Sequence, residues 1–593
     1  MCGILGRKNK EKKLNRSIFD QMLDTLAHRG PDGRGVYTSQ DGNVFIGHRR
    51  LSLIDLSEKG SQPMHNENRT IWLTANGEIY NYAELKNILQ KKGHLFSSKS
   101  DSEVIIHGYE EWGTDVLLKL KGMFAFGLWD ENKKQLFIAR DRFGIKPLYY
   151  YYDNNEIIFS SEIKGIIEDK KIKREIDFSS FSDYFVYRYI PSPKTIWKNI
   201  YKVPPAHFIV FNQSNEKFVQ KYWNLEIANN SLEESSAIDK VDEMLRKSVM
   251  AHTLSDVPVG AFLSGGYDSS ALVYYLSQSK YPTQTFSLGF ENWKQSEHKY
   301  AECVSDIFKT SHKNKIIGLE EYTKLDKLMF HYDDPIADIS IIPTFSISEL
   351  ASQSVKAVVS GEGADEIFSG YTWHRNQVIN FNWKNKIDYL KNHFINNKKE
   401  YSVNDYSSAM AMGLFDKNEL KKLLHPDLHH EIPENPYWFY QENFNQKISG
   451  IKSYQYLDIK TFMAELVLTK VDRASMAHSL EVRVPFLDHE LVEFMFRLSE
   501  KTYIKKNYQK FLLYKNICSH LPESILKRPK QGFVGPDCYY QNITWYKSIL
   551  QESNLISDKI INKTYTDHLI KTNDHWRLWK IAVMEKWYSL WKN

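Results

Sequence analysis

The pattern of apolar residues changes once along this chain, at the polar stretch 224–237, and this change limits the folds open to it. Before it, runs of β-branched and aromatic residues separated by Gly, Asn and Asp predict strands at 69–81, 122–130, 134–144 and 148–161. After it, apolar runs alternate with Gly-rich turns and helical periodicity, which favours a parallel sheet covered by helices. Because 593 residues exceed the roughly 250–300 at which single cores split, we expect two domains.

The two segments predict different fold classes. The first is α+β, with much antiparallel strand and helices near 17–27 and 82–92. The second is α/β, with a parallel sheet and added helices that dominate from about 375 onward. We place the first domain at 2–215, a linker at 216–236 and the second domain at 237–593.

Composition excludes some classes of protein. Hydrophobic residues make up 42% and charged residues 25%, which is ordinary for a soluble globular protein. The net charge of +5 gives no support for a nucleic-acid partner. No apolar run reaches about 18 residues, so we expect no membrane span. The chain start lacks the apolar stretch of a secretory signal, and the four cysteines are scattered, so we expect a cytoplasmic protein without disulfides or a cysteine zinc site. A monomer and a homodimer both stay open.

A cysteine directly follows Met1. If Met1 is removed, Cys2 carries both a thiol and an α-amine with a pKa near 7.7–8.0. That amine is able to take the thiol proton, so no histidine base is required. The alternative is a small buried residue on a first strand, and Cys2 alone favours that alternative.

Four further motifs change this balance. They are HRGPDGRG (28–35), GHRRLSLID (47–55), ANGEIYN (75–81) and SDSEV (100–104). In this order, and together with MCGI at the start, they resemble the class II glutamine amidotransferase domain, whose fold is the αββα N-terminal-nucleophile fold. Each motif alone is weak, whereas all five in this order are specific.

The resemblance implies a glutamine site with Cys2 as nucleophile. Arg50 matches the residue that binds the α-carboxylate through two hydrogen bonds, and Asp101 matches the residue that binds the α-ammonium. The Asn76 side chain and the Gly77 N–H match the oxyanion hole, and Glu78 helps to hold the substrate. The alternative for Asn76-Gly77 is a β-turn, because Asn-Gly is a strong hairpin signal.

The stretch VPVGAFLSGGYDSSALVYYLS (257–277) predicts a strand, a Ser/Gly loop and a helix, which together cradle phosphate. It is not a Walker A loop, because the GK[ST] ending is missing. SGGYDSS resembles the pyrophosphate loop of ATP pyrophosphatases, although Tyr267 stands where the family usually has an aliphatic residue. The resemblance assigns ATP contacts to Leu263, Ser264, Gly265, Gly266, Asp268, Ser269, Leu288, Ser360 and Gly361.

Two later motifs add charged groups to this site. VVSGEGADEIFSGY (358–371) places Glu362, Asp365 and Glu366 after a Gly-rich turn. Carboxylates beside phosphates usually hold Mg²⁺, and we assign the metal to Asp268 and Asp365.

The stretch LTKVDRASMAHSLEVRVPFLD (468–488) puts Lys470 and Arg473 on one helix face. Two cations there are suited to a developing pyrophosphate charge. The alternative is a solvated charged face, but the apolar and small neighbours argue against full exposure.

Together these motifs resemble the glutamine-hydrolysing asparagine synthetases over nearly the whole chain. The resemblance implies that Cys2 releases ammonia from glutamine through a thioester, and that Mg-ATP adenylates aspartate. Ammonia then passes through a channel and yields asparagine, AMP and pyrophosphate. Glu362 matches the position tied to the acyl-adenylate, and Lys470 matches the one that supports the second step.

The carboxylate acceptor stays open. DDPIADISIIPTF (333–345) and RPKQGF (528–533) match a bacterial branch that includes amidotransferases of surface-polysaccharide pathways, so a sugar uronate is the alternative to aspartate. A non-catalytic protein that kept the fold is a third alternative, against which the intact Cys2, Arg50, Asp101 and Asp268 argue.

Overall fold

The computed structural model describes residues 2–279, 283–374, 402–528 and 531–592. Three predictions fall partly outside this range: the removal of Met1, the start of the helical region at 375–401, and positions 529–530 of the RPKQGF motif.

The strands form three sheets. They are β1 (Gly3–Asn9), β2 (Gly33–Thr38), β3 (Val44–Arg50), β4 (Met64–His65), β5 (Ile71–Ile79), β6 (Gly122–Asp130), β7 (Gln135–Arg140), β8 (Tyr149–Tyr152), β9 (Glu156–Ser160), β10 (Ile200–Lys202), β11 (His207–Phe211), β12 (Lys217–Lys221), β13 (Val259–Phe262), β14 (Gln284–Phe290), β15 (Ser311–Ile317), β16 (Ala357–Val359) and β17 (Glu481–Arg483).

Two six-stranded antiparallel sheets form the N-terminal domain. Their strand orders are β10-β8-β9-β1-β3-β2 and β12-β11-β7-β6-β5-β4. Apolar side chains of both sheets, such as Ile4 of β1 and Ile138 of β7, share one buried core. Helix residues such as Phe19 pack on the outer face of the first sheet, and others such as Ile105 pack on the second. The predicted αββα arrangement is therefore confirmed.

The helices of this domain agree in type with the two predicted near 17–27 and 82–92. They are Arg16–Asp24, Tyr82–Lys91, Glu103–Trp112, Val116–Lys119, Lys164–Ile167 and Phe178–Tyr187. Strand β12 pairs with β11 in the second sheet and lies inside the segment predicted as a linker, while the domain boundary itself stays a prediction.

The C-terminal domain contains the predicted parallel sheet. Its order is β15-β14-β13-β16-β17, and each neighbouring pair runs parallel. The chain moves outward from β13 in one direction through β14 and β15, and in the other through β16. In open α/β sheets such a reversal opens a crevice at the carboxyl ends of the strands. The loops after β13 and β16 are the two Gly-rich motifs, so both lie at this crevice.

Helices surround this sheet and continue to the end of the described chain. They are Glu234–Ala251, Tyr267–Ser277, His298–Phe308, Leu325–His331, Ile341–Ser352, Ala364–Phe368, Val403–Met410, Lys417–Leu423, Trp438–Asn443, Ile451–Asp458, Thr469–Met476, His489–Arg497, Glu500–Tyr503, Phe511–Ile517, Glu523–Leu526, Ile543–Gln551, Asn554–Ser557, Lys563–Lys571 and His575–Trp591, with a π-helical stretch at Ile459–Leu468.

The two domains share a hydrophobic core. The last helix, His575–Trp591, packs against the N-terminal helix Phe178–Tyr187, and the Tyr184 hydroxyl donates to the Lys580 carbonyl at 2.8 Å. Among the described helices, none is both long and apolar enough to cross a bilayer.

Candidate active site

Cys2 immediately precedes β1 and is buried. Its Sγ lies 3.9 Å from the Leu51 carbonyl oxygen, and burial raises the pKa of the thiol. A thiol with a raised pKa is mostly protonated at neutral pH and needs a base before it attacks a substrate. The backbone nitrogen of Cys2 donates to Asn76 Oδ1 at 2.8 Å, so this nitrogen is held in a fixed place beside the thiol.

Asn76 and Gly77 do not form a turn, because both lie inside β5. The β-turn alternative is therefore wrong. Gly77 has a φ of +149° and pairs with Phe124, and a Cβ there would lie 2.0 Å from the Met123 carbonyl oxygen. Asn76 is fully buried, and its Nδ2 has no hydrogen-bond partner among the described residues. Since Oδ1 already accepts from the backbone nitrogen of Cys2, Nδ2 is the group of Asn76 that is able to donate to a substrate beside the nucleophile.

Arg50 is held at the end of β3 by the backbone of the turn that follows. Its Nη1 donates to the Ser57 carbonyl at 2.9 Å, and its Nη2 donates to the Asp55 carbonyl. A Cβ on Gly60 would lie 2.3 Å from Nη2, so the glycine makes room for the guanidinium. Arg50 remains partly exposed, as a group that binds an incoming carboxylate requires.

Asp101 is buried just before the helix Glu103–Trp112, and its Oδ2 accepts from the Ile79 N–H at 2.7 Å. Burial raises the pKa of Asp101 to about 6, although this hydrogen bond opposes the shift. Glu78 is also buried, and burial raises its pKa well above the ordinary range against the field of Arg483. Two buried carboxyl groups therefore lie close to the predicted glutamine site, where a substrate ammonium would offset their desolvation.

Arg483 is a residue that the sequence analysis did not single out. It belongs to β17 of the C-terminal domain, yet its Nη2 lies 2.9 Å from Glu78 Oε1 of the N-terminal domain. Its Nε lies 2.5 Å from Glu481 Oε1. Burial disfavours the charged form of Glu481, but the positive charges of the chain's N-terminus, Arg483 and Lys146 overcome this and lower the pKa of Glu481 to about 2. Glu481 and Arg483 both lie in the motif at 468–488, but the motif does not indicate a contact between the two domains.

The loop after β13 has the geometry of a phosphate cradle. Gly265 has a φ of +72°, and a Cβ there would lie 2.6 Å from the Tyr300 backbone. Only glycine therefore fits at this turn. The Ser264 N–H donates to Ser269 Oγ at 3.1 Å, which closes the loop over the start of the helix Tyr267–Ser277.

Residues of this loop line a pocket that is open to solvent. Its lining includes four residues predicted to contact ATP or the metal, together with Tyr267 and six residues outside that prediction. The predicted ones are Ser264, Gly265, Gly266 and Asp268, and the additional ones are Glu297, Gln509, Lys510, Ile525, Arg528 and Gln531.

Lys510 is a second residue that sequence reasoning missed. Its Nζ lies 2.6 Å from Asp268 and 2.8 Å from Asp365, the two predicted metal ligands, and the residue is buried. The loop after β16 also approaches Asp268, since a Cβ on Gly361 would lie 3.1 Å from its Cβ. Two carboxylates that converge on one cation supply the hard oxygen donors that suit Mg²⁺, so this pair fits the predicted metal.

The other predicted ATP residues lie on the same sheet edge. Ser360 follows β16, and its N–H donates to the Arg483 carbonyl at 2.8 Å. Leu288 is buried in β14, and Leu263 directly follows β13. Glu362 is half-buried, and its Oε2 has no hydrogen-bond partner among the described residues.

Lys470 and Arg473 share the helix Thr469–Met476 but have different partners. Lys470 Nζ donates to Ser340 Oγ at 2.6 Å and lies 3.4 Å from Asp338 Oδ1. Arg473 lies 2.9 Å from both Glu162 and Asp333 and is buried. Two buried carboxylates therefore engage the guanidinium of Arg473, and its role toward pyrophosphate stays a prediction. Full exposure of the pair is excluded as well.

Arg29 connects the nucleophile to this helix. It is fully buried, and its Nε donates to the Cys2 carbonyl at 3.2 Å. Its Nη1 lies 2.8 Å from Asp472 and 2.7 Å from Glu162. One guanidinium therefore spans from the backbone of Cys2 to a residue two positions after Lys470.

Tyr267 leaves the phosphate cradle intact. Its hydroxyl donates to the Leu526 carbonyl, and its ring lies 5.9 Å from that of Tyr514. Arg528, the first residue of the RPKQGF motif, donates to the Ser264 carbonyl at 3.1 Å and pairs with Glu297. This motif therefore reaches the phosphate loop, although the sequence analysis used it only as a family signal.

Comparison with known proteins identifies two family models along the chain. Residues 1–223 match a glutamine amidotransferase domain, and residues 240–589 match asparagine synthase.

Several curated relatives span nearly the whole chain. Asparagine synthetase [glutamine-hydrolyzing] 1 of Bacillus subtilis (strain 168) is 32% identical over 100% of this chain and 97% of its own length. Asparagine synthetase [glutamine-hydrolyzing] 3 of the same organism is 30% identical, covering 96% and 94%. Amidase chry2 of Gibberella zeae is 28% identical, covering 90% and 87%. The chain therefore belongs to the glutamine-hydrolysing asparagine synthetase family, with a glutamine amidotransferase domain followed by an asparagine synthase domain.

Proposed function

We propose that this protein transfers the amide nitrogen of glutamine to the side-chain carboxylate of aspartate, with ATP cleaved to AMP and pyrophosphate. One observation carries the proposal: the domain with the buried thiol and the domain with the phosphate loop are joined by two buried ion pairs, Arg29–Asp472 and Glu78–Arg483. The names of the relatives support the same reaction.

In the glutamine half, Arg50 binds the α-carboxylate and Asp101 binds the α-ammonium. Cys2 attacks the side-chain amide, which gives a γ-glutamyl thioester and ammonia, and water then releases glutamate. The free Nδ2 of Asn76 and the Gly77 N–H stabilise the oxyanion of the tetrahedral intermediate. Since burial raises the pKa of the thiol, its proton needs an acceptor, and the α-amine left by removal of Met1 is suited to that role.

In the ATP half, the cradle of Ser264, Gly265 and Gly266 binds the phosphates, and Leu288 contacts the adenine. Asp268 and Asp365 hold Mg²⁺, which neutralises phosphate charge when bound. Lys510 already lies between these carboxylates and places a further positive charge in the pocket. The acceptor carboxylate attacks the α-phosphorus of ATP, and pyrophosphate leaves.

The second step joins ammonia to the activated carboxyl group and releases AMP. Glu362, with an unpartnered Oε2, supports formation of the acyl-adenylate, and Lys470 supports the attack by ammonia. Ammonia is mostly ammonium at pH 7, which is not a nucleophile, so a sheltered channel between the sites is needed. The apolar cluster of Leu51 and Leu53 with Ala357 of the other domain supports an apolar passage that starts beside Cys2.

The test is pyrophosphate release with ATP, Mg²⁺ and glutamine in the presence of single acceptors. Aspartate is expected to give the fastest release, with one asparagine formed per pyrophosphate. A panel of sugar acids serves as the comparison. If aspartate gives no release above the acceptor-free rate, the assignment of aspartate is refuted.

A second candidate is amide formation on another carboxylate, such as a sugar uronate in surface-polysaccharide synthesis. Tyr267 and the motif at 333–345 favour it. A uronate-dependent release with no response to aspartate would establish this candidate. Absence of both glutaminase and pyrophosphate release in correctly processed protein would instead favour a non-catalytic role.

A further inference from the structure

Two histidines and a glutamate from three separate segments meet in the N-terminal domain. Glu67 lies in the turn between β4 and β5, His94 follows the helix Tyr82–Lys91, and His107 lies in the helix Glu103–Trp112. Each offers a ligand atom, and the three atoms lie within 4.8 Å of one another. None of these residues has a role in the reaction proposed above.

His107 is the anchor of this cluster. It is 1% exposed, and its Nε2 has no hydrogen-bond partner among the described residues. Its Nδ1 lies 3.0 Å from Glu110 Oε2, and its Nε2 lies 3.7 Å from Glu103 Oε1. Whichever nitrogen binds a metal, the other therefore faces a carboxylate, which is the arrangement that orients metal-binding histidines in proteins.

The other two ligands are placed by their own contacts and are open to solvent. Glu67 Oε1 accepts from the Leu95 N–H at 2.9 Å, which fixes the carboxylate beside His94. The side chain of His94 is 16% exposed, and its ring centroid lies 5.2 Å from that of His107. An ion is therefore able to enter from the surface, while His107 closes the site from within.

We propose that Glu67, His94 and His107 form a binding site for Zn²⁺, with water in the fourth position. Two imidazoles and one carboxylate are a common ligand set for this ion, and ligand distances of about 2.0–2.2 Å require only a modest contraction of the present cluster. The ion joins three segments, one of which runs from His94 to Asp101. The site therefore stabilises the loop that carries the predicted ammonium-binding carboxylate.

The competing account is an ion-pair cluster without metal. Burial lowers the pKa of His107, but Glu103 and Glu110 overcome this and raise it to about 9. In that account the protonated imidazole of His107 is the cation of the cluster, and replacing its proton by Zn²⁺ does not lower the free energy. The two accounts differ in stoichiometric zinc binding and in the response to changes at Glu67, because the close contacts of His107 are with Glu103 and Glu110 instead.

The experiment uses the full-length chain with Cys2→Ala, which removes the thiol of the glutamine site. Zn²⁺ alone is titrated by calorimetry, and X-ray absorption at the zinc edge reports the ligands. We expect one Zn²⁺ per chain with nitrogen and oxygen at about 2.0–2.1 Å, no sulfur shell near 2.3 Å, and a raised melting temperature.

Two exposed or half-buried positions keep the test independent of folding. Glu67→Gln is expected to weaken zinc binding about tenfold or more, and His94→Gln to abolish it, while Glu84→Gln, a matched exposed glutamate of the same domain, leaves it unchanged. Glu110→Gln is expected to cost about 10–100-fold. Absence of stoichiometric binding at micromolar Zn²⁺, a sulfur shell, or unchanged affinity in Glu67→Gln and His94→Gln would each overturn the proposal.

Discussion

Replacement of Arg483 by methionine is the sharpest test of how the two domains are joined. The guanidinium lies 2.9 Å from Glu78 and 2.5 Å from Glu481, and the three side chains are 7% exposed or less. It also donates to the carbonyls of His252 and Leu254 at 2.9 and 2.7 Å. Methionine keeps much of the volume but leaves a buried carboxylate without its cation.

The cost follows from the burial of this cluster. Removing one partner of a buried ion pair costs about 3–5 kcal/mol, because the remaining charge keeps its desolvation penalty. That range corresponds to roughly two to four powers of ten in the equilibrium constant for opening of the domain contact. Loss of the guanidinium field also raises the pKa of Glu78 further, so we expect the KM for glutamine to rise about tenfold.

The assay pairs urea unfolding, followed by tryptophan fluorescence, with glutaminase kinetics. Arg497→Met is the matched control, because Arg497 pairs with Glu226 at the surface of the same domain, and such pairs contribute about 0–1 kcal/mol. Adding Glu481→Gln to Arg483→Met is expected to recover part of the lost stability, since the stranded charge is removed. A loss no greater than that of Arg497→Met, or no recovery in the double variant, would refute the reasoning.

Three further predictions concern the separate sites. Cys2→Ala is expected to abolish glutamine-dependent synthesis and to leave synthesis with added ammonia, and joint loss of both activities would contradict the two-site assignment. With the pKa of Asp101 at about 6, kcat/KM for glutamine is expected to fall about tenfold per pH unit below pH 6, because the protonated carboxyl group no longer attracts the ammonium. Asp101→Asn is expected to be slow at every pH and to lack this acidic limb of the profile. If the limb persists in Asp101→Asn, the titrating group is not Asp101. Lys510→Met is expected to slow pyrophosphate release about 10²-fold and to leave the glutaminase activity unchanged. Replacement of the exposed Lys506 by methionine is the control and is expected to change neither activity. Equal rates of pyrophosphate release in the two variants would show that Lys510 does not act in the ATP site.

Local signals along the chain predicted most of the elements. Strands with β-branched and aromatic residues, such as β6 at Gly122–Asp130, lie where the pattern placed them, because each buries one or both faces in a sheet. The Asn76-Gly77 pair is the instructive exception. Its local preference is for a turn, but pairing with β6 on one side and the contact with Cys2 on the other hold it in a strand.

Predicted and missed site residues differ in the range over which they act. The Ser/Gly loop and the residues around Cys2 are contiguous in sequence, so their spacing indicates their chemistry. Arg483 and Lys510 act across more than 200 positions, on Glu78 and Asp268. Nothing in the stretch around Lys510 separates it from the exposed lysines nearby.

The sequence by itself therefore determined the two fold classes, their order, and the short motifs that point to glutamine and ATP chemistry, because these depend on periodicity and local spacing. Only the tertiary structure decided which charged side chains pair with one another. Arg473 is engaged by Glu162 and Asp333, and Arg29 reaches from Cys2 to Asp472. A buried charge is tolerated only beside its partner, and which partner it finds is set by how the sheets and helices of both domains pack.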